Sequence, residues 1–148
     1  MRIAIGSDHA GFRYKERLKQ ALTEAGHVVT DFGTDSEEPV DYPVVIRPVA
    51  EAVAAGRFDR GIVLGGSGNG EAIVANRVRG VRCTLCWNVE SARLARQHND
   101  ANVMALGARM HSAEEAFELA AAFLRTPFSG DEWHARRITQ LADYESKG

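Results

Sequence analysis

No run of apolar residues in this chain approaches the ~20 that a membrane-spanning helix needs, which leaves no candidate for a transmembrane segment. Charge of one sign is lacking too. The 18 Lys and Arg against 20 Asp and Glu leave a formal net charge of −2, so neither nucleic acid nor an anionic membrane is expected as the main partner. Cysteine is scarce: only Cys83 and Cys86 are present. Their CxxC spacing lies within Val81 to Trp87, which reads as a strand, and residues three apart on a strand point to opposite faces. No second Cys/His pair completes a zinc set, so two reduced core cysteines and no metal are expected. The N-terminus enters a strand without a signal-peptide pattern, and the expectation is a cytoplasmic protein.

Three familiar loops are missing as well. A Walker loop ends in Gly-Lys-Ser/Thr, whereas Gly70 is followed by Glu71. The dinucleotide fingerprint GxGxxG should follow the first strand and does not match the spacing of Gly66, Gly68 and Gly70. The nucleophile elbow GxSxG fails because Asn69 stands where its second glycine belongs, which argues against Ser67 as an acylated nucleophile.

What is present is Gly65-Gly66-Ser67-Gly68-Asn69-Gly70-Glu71, between an apolar strand-like run (Gly61 to Leu64) and a helical one (Ala72 to Asn76). A strand that breaks into glycines and restarts as a helix leaves backbone N–H groups free at the helix N-terminus, where the dipole favours negative charge. An ionised Glu71 beside such an anion hole suits proton abstraction next to a carbonyl, with the N–H groups holding the resulting enediolate. The residues alone leave open a plainer reading, a tight turn with a first-turn Glu added for helix stability.

The chain of 148 residues, 45% apolar and 26% charged, is one domain of ordinary soluble composition. Strands are expected at Met1 to Ser7, His27 to Gly33, Gly61 to Leu64, Val81 to Trp87 and Asn102 to Leu106. Helices alternate with them. The first carries Leu18, Ala21, Leu22 and Ala25 and closes at Gly26, and the second begins near Pro43 with Val45, Val49, Ala52 and Val53 as its stripe. Pro48 inside that second helix would cost about 3 kcal/mol in a regular interior, which predicts a kink or a later start. Asn88 caps a helix ending in Gln97-His98-Asn99-Asp100. Ser112 with Glu115 forms a capping box, and Ser129 with Glu132 repeats it for a last helix bearing Ile138, Leu141 and Tyr144.

Strand and helix alternating through short connections imply a parallel sheet covered on both faces, with ligands at the carboxyl ends of the strands. The Asp8-His9 loop, the glycine loop and Arg109 fall at that edge. His98 does not, because its helix runs back toward the amino ends. If His98 is catalytic, it acts most simply in a partner subunit's site, and a symmetric dimer becomes a functional requirement. A lone His at a helix C-terminus is otherwise there for the dipole, and Arg136 and Arg137 are otherwise a solvated helix face.

Ser7 to Gly11, Asp41-Tyr42-Pro43, Gly65 to Glu71, Ala75-Asn76, Arg96 to Asn102, Gly107-Ala108-Arg109 and His134 to Arg137 together resemble type B ribose-5-phosphate isomerases, within a wider group of galactose- and allose-6-phosphate isomerases. The match runs through nearly the whole chain in order. The resemblance implies a three-layer α/β/α Rossmann-like fold with a five-stranded parallel sheet, a homodimer (in some members a tetramer) with shared active sites, and neither metal nor cofactor. It also implies interconversion of ribose 5-phosphate and ribulose 5-phosphate in the pentose phosphate pathway. One branch of the family uses a cysteine just before the glycine loop as base. That position here is Gly65, and Glu71 matches the glutamate of the other branch.

By the same resemblance, Glu71 carries the proton between C2 and C1, Ser67 with the N–H groups of Gly68, Asn69 and Gly70 holds the enediolate, and His98 assists ring opening. Asp8 and Asn99 bind sugar hydroxyls. His9, Arg109 and Arg137 bind phosphate, with Tyr42, Trp133, His134 and Arg136 as further candidates. Trp133 stands where the family has a second phosphate-binding arginine. The last helix, about residues 130–146, is expected to serve the dimer and the phosphate site. Rival readings are the same chemistry on allose 6-phosphate, galactose 6-phosphate or a tetrose phosphate, and a phosphosugar-binding module without catalysis.

Overall fold

The computed structural model describes residues 1–148. Five strands, β1 (Arg2–Ser7), β2 (Val28–Asp31), β3 (Arg60–Gly65), β4 (Cys83–Leu85) and β5 (Val103–Gly107), form one parallel sheet in the order β2-β1-β3-β5-β4. The helices are α1 (Phe12–Glu24), α2 (Tyr42–Ala54), α3 (Asn69–Asn76), α4 (Val89–Gln97), α5 (Ala113–Arg125) and α6 (Glu132–Lys147). A 3-10 turn, His9–Gly11, precedes α1.

The three inner strands are apolar without a break because both of their faces are covered. Ile3, Ile5, Ile62, Leu64, Met104 and Leu106 point to the face packed by α1, α4 and α5, where they meet Leu18, Leu22, Ala92, Leu119 and Phe123. Ala4, Val63, Val103 and Ala105 point to the opposite face, against Ile46, Val49 and Val53 of α2 and Ala75 of α3. This is the three-layer α/β/α arrangement expected. Cys86 belongs to the first core and Cys83 to the second, so the CxxC pair straddles the sheet as two free buried thiols.

Three local expectations need correction. The fourth strand is only three residues long, because Asn102 Oδ1 takes the Arg82 N–H (2.8 Å) and Ser91 Oγ takes those of Trp87 and Asn88 (3.0 and 3.1 Å). Helix α2 begins at Tyr42 and is unbroken through Pro48. The hydrogen bond that Pro48 cannot donate would have ended on the carbonyl of Val44, an exposed first-turn residue where water can substitute. Helix α6 starts after Asp131 rather than at a Ser129 cap, since Ser129 Oγ accepts from the Asp131 N–H (3.2 Å) and pairs with His134 Nδ1 (3.0 Å). The Asn88 and Ser112 caps are both present as capping boxes.

Helix α6 differs from the others. Among its residues only His134 is buried, and Leu141 and Tyr144 are exposed. It is tied down at its far end by Glu145, whose Oε1 accepts from the Gly80 N–H (2.9 Å).

Candidate active site

The sheet order brings the site together. β1 lies between β2 and β3, so the loops leaving β1 and β3 at their carboxyl ends are neighbours, and Asp8 N–H donates to Leu64 O (3.1 Å). β5 flanks β3 on its other side, with Gly65 opposite Gly107. There the Ala108 and Arg109 N–H groups donate to Gly65 O (2.7 Å) and Gly66 O (3.0 Å), closing the glycine loop against the Arg109 loop.

Gly68 opens α3 with φ +86°, a left-handed conformation that favours glycine. A Cβ there would also strike Leu85 and the Leu106 backbone. The Asn69 N–H is taken by Ser67 Oγ (3.2 Å), which leaves the Ser67 hydroxyl proton to be donated elsewhere. The Tyr42 ring lies against Gly70, where a Cβ would come within 2.7 Å of it.

Glu71 follows in the first turn of α3 and is almost fully buried, as is Asp8. A Cβ on Gly65 would collide with the carboxyl carbon and both carboxyl oxygens of Glu71, so the absent side chain at 65 is what admits this carboxylate. Asp8 caps the 3-10 turn, its Oδ1 accepting from the Ala10 and Gly11 N–H groups (2.9 and 3.1 Å). The rest of that carboxylate is within hydrogen-bonding reach of Glu71. Burial pushes the Glu71 carboxyl up to about 7, its own backbone N–H pulls it down, and the Asp8 charge pushes it up further. The Glu71 carboxyl is thereby placed to exchange protons near neutral pH.

His9 Nδ1 accepts from the Val40 N–H (3.1 Å), so the neutral ring carries its proton on Nε2, a donor. The Arg109 guanidinium lies over Gly66, whose Cβ would sit 3.0 Å from Nη1. Asp8, His9, Tyr42, Ser67, Gly68, Asn69, Gly70, Glu71 and Arg109 thus share one edge of the sheet.

His98, Asn99, Trp133, His134, Arg136 and Arg137 form a second group at the opposite edge of the same chain. Asn99 O accepts from Arg82 Nε (2.9 Å) just before the first residue of β4. The His98 ring stacks on His134 with centroids 4.2 Å apart, and Trp133 tilts against His134 at 5.6 Å. His98, Asn99, Trp133, Arg136 and Arg137 are all exposed. No group of three or more His, Cys, Asp or Glu side chains is arranged to hold a metal. Two features escaped the sequence reading, the space at Gly65 and the Asp8–Glu71 contact. The second was within reach, since both residues follow strands that a doubly wound order sets side by side.

Asp8→Asn tests the carboxylate pair. A base must be ionised, so kcat/KM falls as pH drops through the Glu71 value. Removing the Asp8 charge favours ionised Glu71 and moves that acid limb to lower pH. The measurement is the pH profile of kcat/KM for wild type and variant, and an unmoved midpoint would separate Asp8 from the Glu71 titration.

A buried carboxylate titrating near neutrality over a glycine-rich helix start, with a histidine and an arginine close by, defines a proton-transfer site for an anionic substrate on a doubly wound α/β fold. The sequence pattern of the ribose/galactose isomerase family matches residues 3–141, and the chain belongs to that family. It is 47% identical to ribose-5-phosphate isomerase B of Mycolicibacterium paratuberculosis over 98% of this chain and 92% of that one. The structure of Clostridium thermocellum ribose-5-phosphate isomerase B superposes with a TM-score of 0.97, at 44% identity over 99% of each chain. A D-erythrulose-4-phosphate isomerase from Pectobacterium atrosepticum is 40% identical over 97% of this chain and 94% of that one.

Proposed function

We propose that this protein interconverts ribose 5-phosphate and ribulose 5-phosphate through an enediolate, as a reaction of the pentose phosphate pathway in the cytoplasm. The observation that carries the reading is Glu71, buried beside the glycine loop with its carboxyl pushed up to about 7. In the open-chain aldose, the Glu71 carboxylate takes the proton from C2. The C2–H electron pair forms the C1–C2 double bond, and the carbonyl electrons move to O1. The Ser67 hydroxyl and the N–H groups of Gly68 and Gly70 hold the developing charge, the Asn69 N–H being taken by Ser67 Oγ. The Ser67 hydroxyl relays the proton from O2 to O1 by accepting one and donating its own. Glu71 then returns its proton to C1, giving the ketose. The phosphate is met by His9 Nε2 and Arg109.

His98 and Asn99 sit at the wrong edge to serve the Glu71 of their own chain, and the same holds for Arg137. In this reading a second copy supplies them, His98 as acid/base for ring opening, Asn99 to a sugar hydroxyl and Arg137 to the phosphate. Residues 1–148 then act as one domain, with α6 contributing to the homodimer and the phosphate site. Its exposure along nearly its whole length accords with that role.

The test is isomerisation of ribose 5-phosphate in deuterated water. Turnover with deuterium at C1 of the ketose is expected, and binding without any exchange would turn the protein into a phosphosugar-binding module. Trp133, in place of a family arginine, favours a second reading, the same chemistry on a different sugar phosphate such as a tetrose. Relative kcat/KM across a substrate panel separates the two. Trp133→Arg is expected to lower KM for ribose 5-phosphate roughly 3- to 10-fold, about what one added charge-assisted hydrogen bond supplies at a partly exposed position. An unchanged or higher KM would remove position 133 from the phosphate site.

A further inference from the structure

The turn that follows α4 is held far more tightly than a helix end requires. Asp100 is the one residue other than glycine with a positive φ, +44°, a backbone that a glycine would take without strain. Two arginines grip the turn around it. Arg82 donates to Asn99 O from Nε (2.9 Å) and to Asp100 O from Nη2 (2.8 Å), with Nη2 also 3.5 Å from Asp100 Oδ2. Arg96, buried within α4, donates from Nη1 to Asp100 Oδ1 (2.8 Å) and to Ala101 O (2.6 Å). Three successive carbonyls and both carboxylate oxygens of Asp100 are therefore occupied by two guanidinium groups.

The same unit fixes the His98 ring. Arg96 Nε donates to Thr126 O (3.2 Å), and the Ser129 N–H donates to Gln97 O (3.1 Å), which binds the 126–129 segment to the end of α4. Ser129 Oγ engages His134 Nδ1, and His134 stacks on His98. The turn is pinned through its backbone while the side chains of His98 and Asn99 stay exposed.

We infer that Arg82, Asp100 and Arg96 are positioning residues, an ionic clamp that sets the His98–Asn99 turn in the geometry needed to open the sugar ring. This rests on the role given to His98 above. None of the three need touch substrate. An Asp in the left-handed position makes sense on this account, because glycine would relieve the backbone but offer the arginines no carboxylate.

The experiment uses two reactions of the full chain. Turnover of ribose 5-phosphate, a furanose in solution, needs ring opening. Exchange of a C1 proton of ribulose 5-phosphate with deuterated water runs through Glu71 and the enediolate without ring opening, since a phosphorylated O5 prevents that ketose from closing a furanose ring. Asp100→Gly and Arg82→Gln are expected to lower ribose 5-phosphate turnover about 10- to 100-fold, the effect of a misplaced catalytic group, and to leave exchange within about threefold of wild type. Asp100→Asn, which tolerates the left-handed backbone and keeps an oxygen for Arg96, should restore turnover. Arg82→Gln, on a part-exposed side chain, carries the test even where Asp100→Gly does not fold.

His98→Gln is the reference and should show the same split. If it does while Asp100→Gly and Arg82→Gln turn over ribose 5-phosphate normally, the clamp inference is overturned. Loss of both reactions together in Asp100→Gly and Arg82→Gln would overturn it equally, as general damage. If His98→Gln shows no split, the ring-opening role itself fails and the clamp falls with it.

Discussion

Glu71→Gln lowers kcat for isomerisation by about 10²- to 10⁴-fold, the usual worth of a positioned general base. Glutamine keeps the shape of the side chain and cannot accept the C2 proton. Turnover of ribose 5-phosphate and deuterium incorporation should disappear together, while a phosphorylated substrate analogue still binds through His9 and Arg109. A variant that kept exchange would assign the proton transfer to another group.

The same substitution has a stability signature of defined sign. The folded-state value for Glu71, about 7, lies above its ordinary value of 4.5. Between these two values the folded chain binds the proton more tightly than the unfolded chain does, so this residue's contribution to stability declines as pH rises from about 4.5 to 7. Above pH 7 the folded protein carries the whole penalty of a buried ionised carboxylate beside Asp8. Glu71→Gln removes that penalty, and thermal unfolding at pH 8 should therefore occur at higher temperature in the variant than in wild type, with the gain shrinking toward pH 5. An inactive but more stable variant is the expected mark of a residue kept for chemistry rather than for folding.

Gly65→Ala lowers kcat by about 100-fold without replacing any polar group of the site. The new Cβ falls in the space held by the Glu71 carboxyl group, between strand β3 and the start of α3. The strand cannot retreat, because Gly65 O is bonded to the Ala108 N–H and Gly65 is paired with Gly107 across the sheet. The flexible partner is the Glu71 side chain, which must swing away from the position where it meets Asp8. Overpacking of this kind destabilises by about 1–3 kcal/mol, so the folded state should survive at 25 °C. Circular dichroism checks the fold, and kcat with analogue binding locates the defect. Activity near wild type would mean that the carboxylate works from a different rotamer.

Much of this protein was decided locally and is legible as such. Short continuous apolar runs and apolar residues at helical spacing marked five strands and six helices, though not the short extent of β4 or the start of α6, and short connections between them pointed to a parallel, doubly covered sheet. The glycine loop stood out as a candidate site because glycines, a helix start and a carboxylate are consecutive in the chain. The CxxC pair could be read as two core thiols because side-chain direction on a strand follows from spacing alone.

What the chain order did not contain is the proximity of residues far apart along it. That Asp8 faces Glu71 depends on β1 pairing with β3, and that Gly65 is empty for the sake of Glu71 depends on how α3 folds back over the end of its strand. The Arg82 and Arg96 grip on Asp100 unites residues from β4's entry and α4's exit. Sequence patterning determined which segments become strands and helices, since that depends on side-chain period and caps within a few residues. Only the tertiary structure decided how the Glu71 carboxyl comes to titrate near neutrality, since burial and a neighbouring charge exist only once separate strands are side by side.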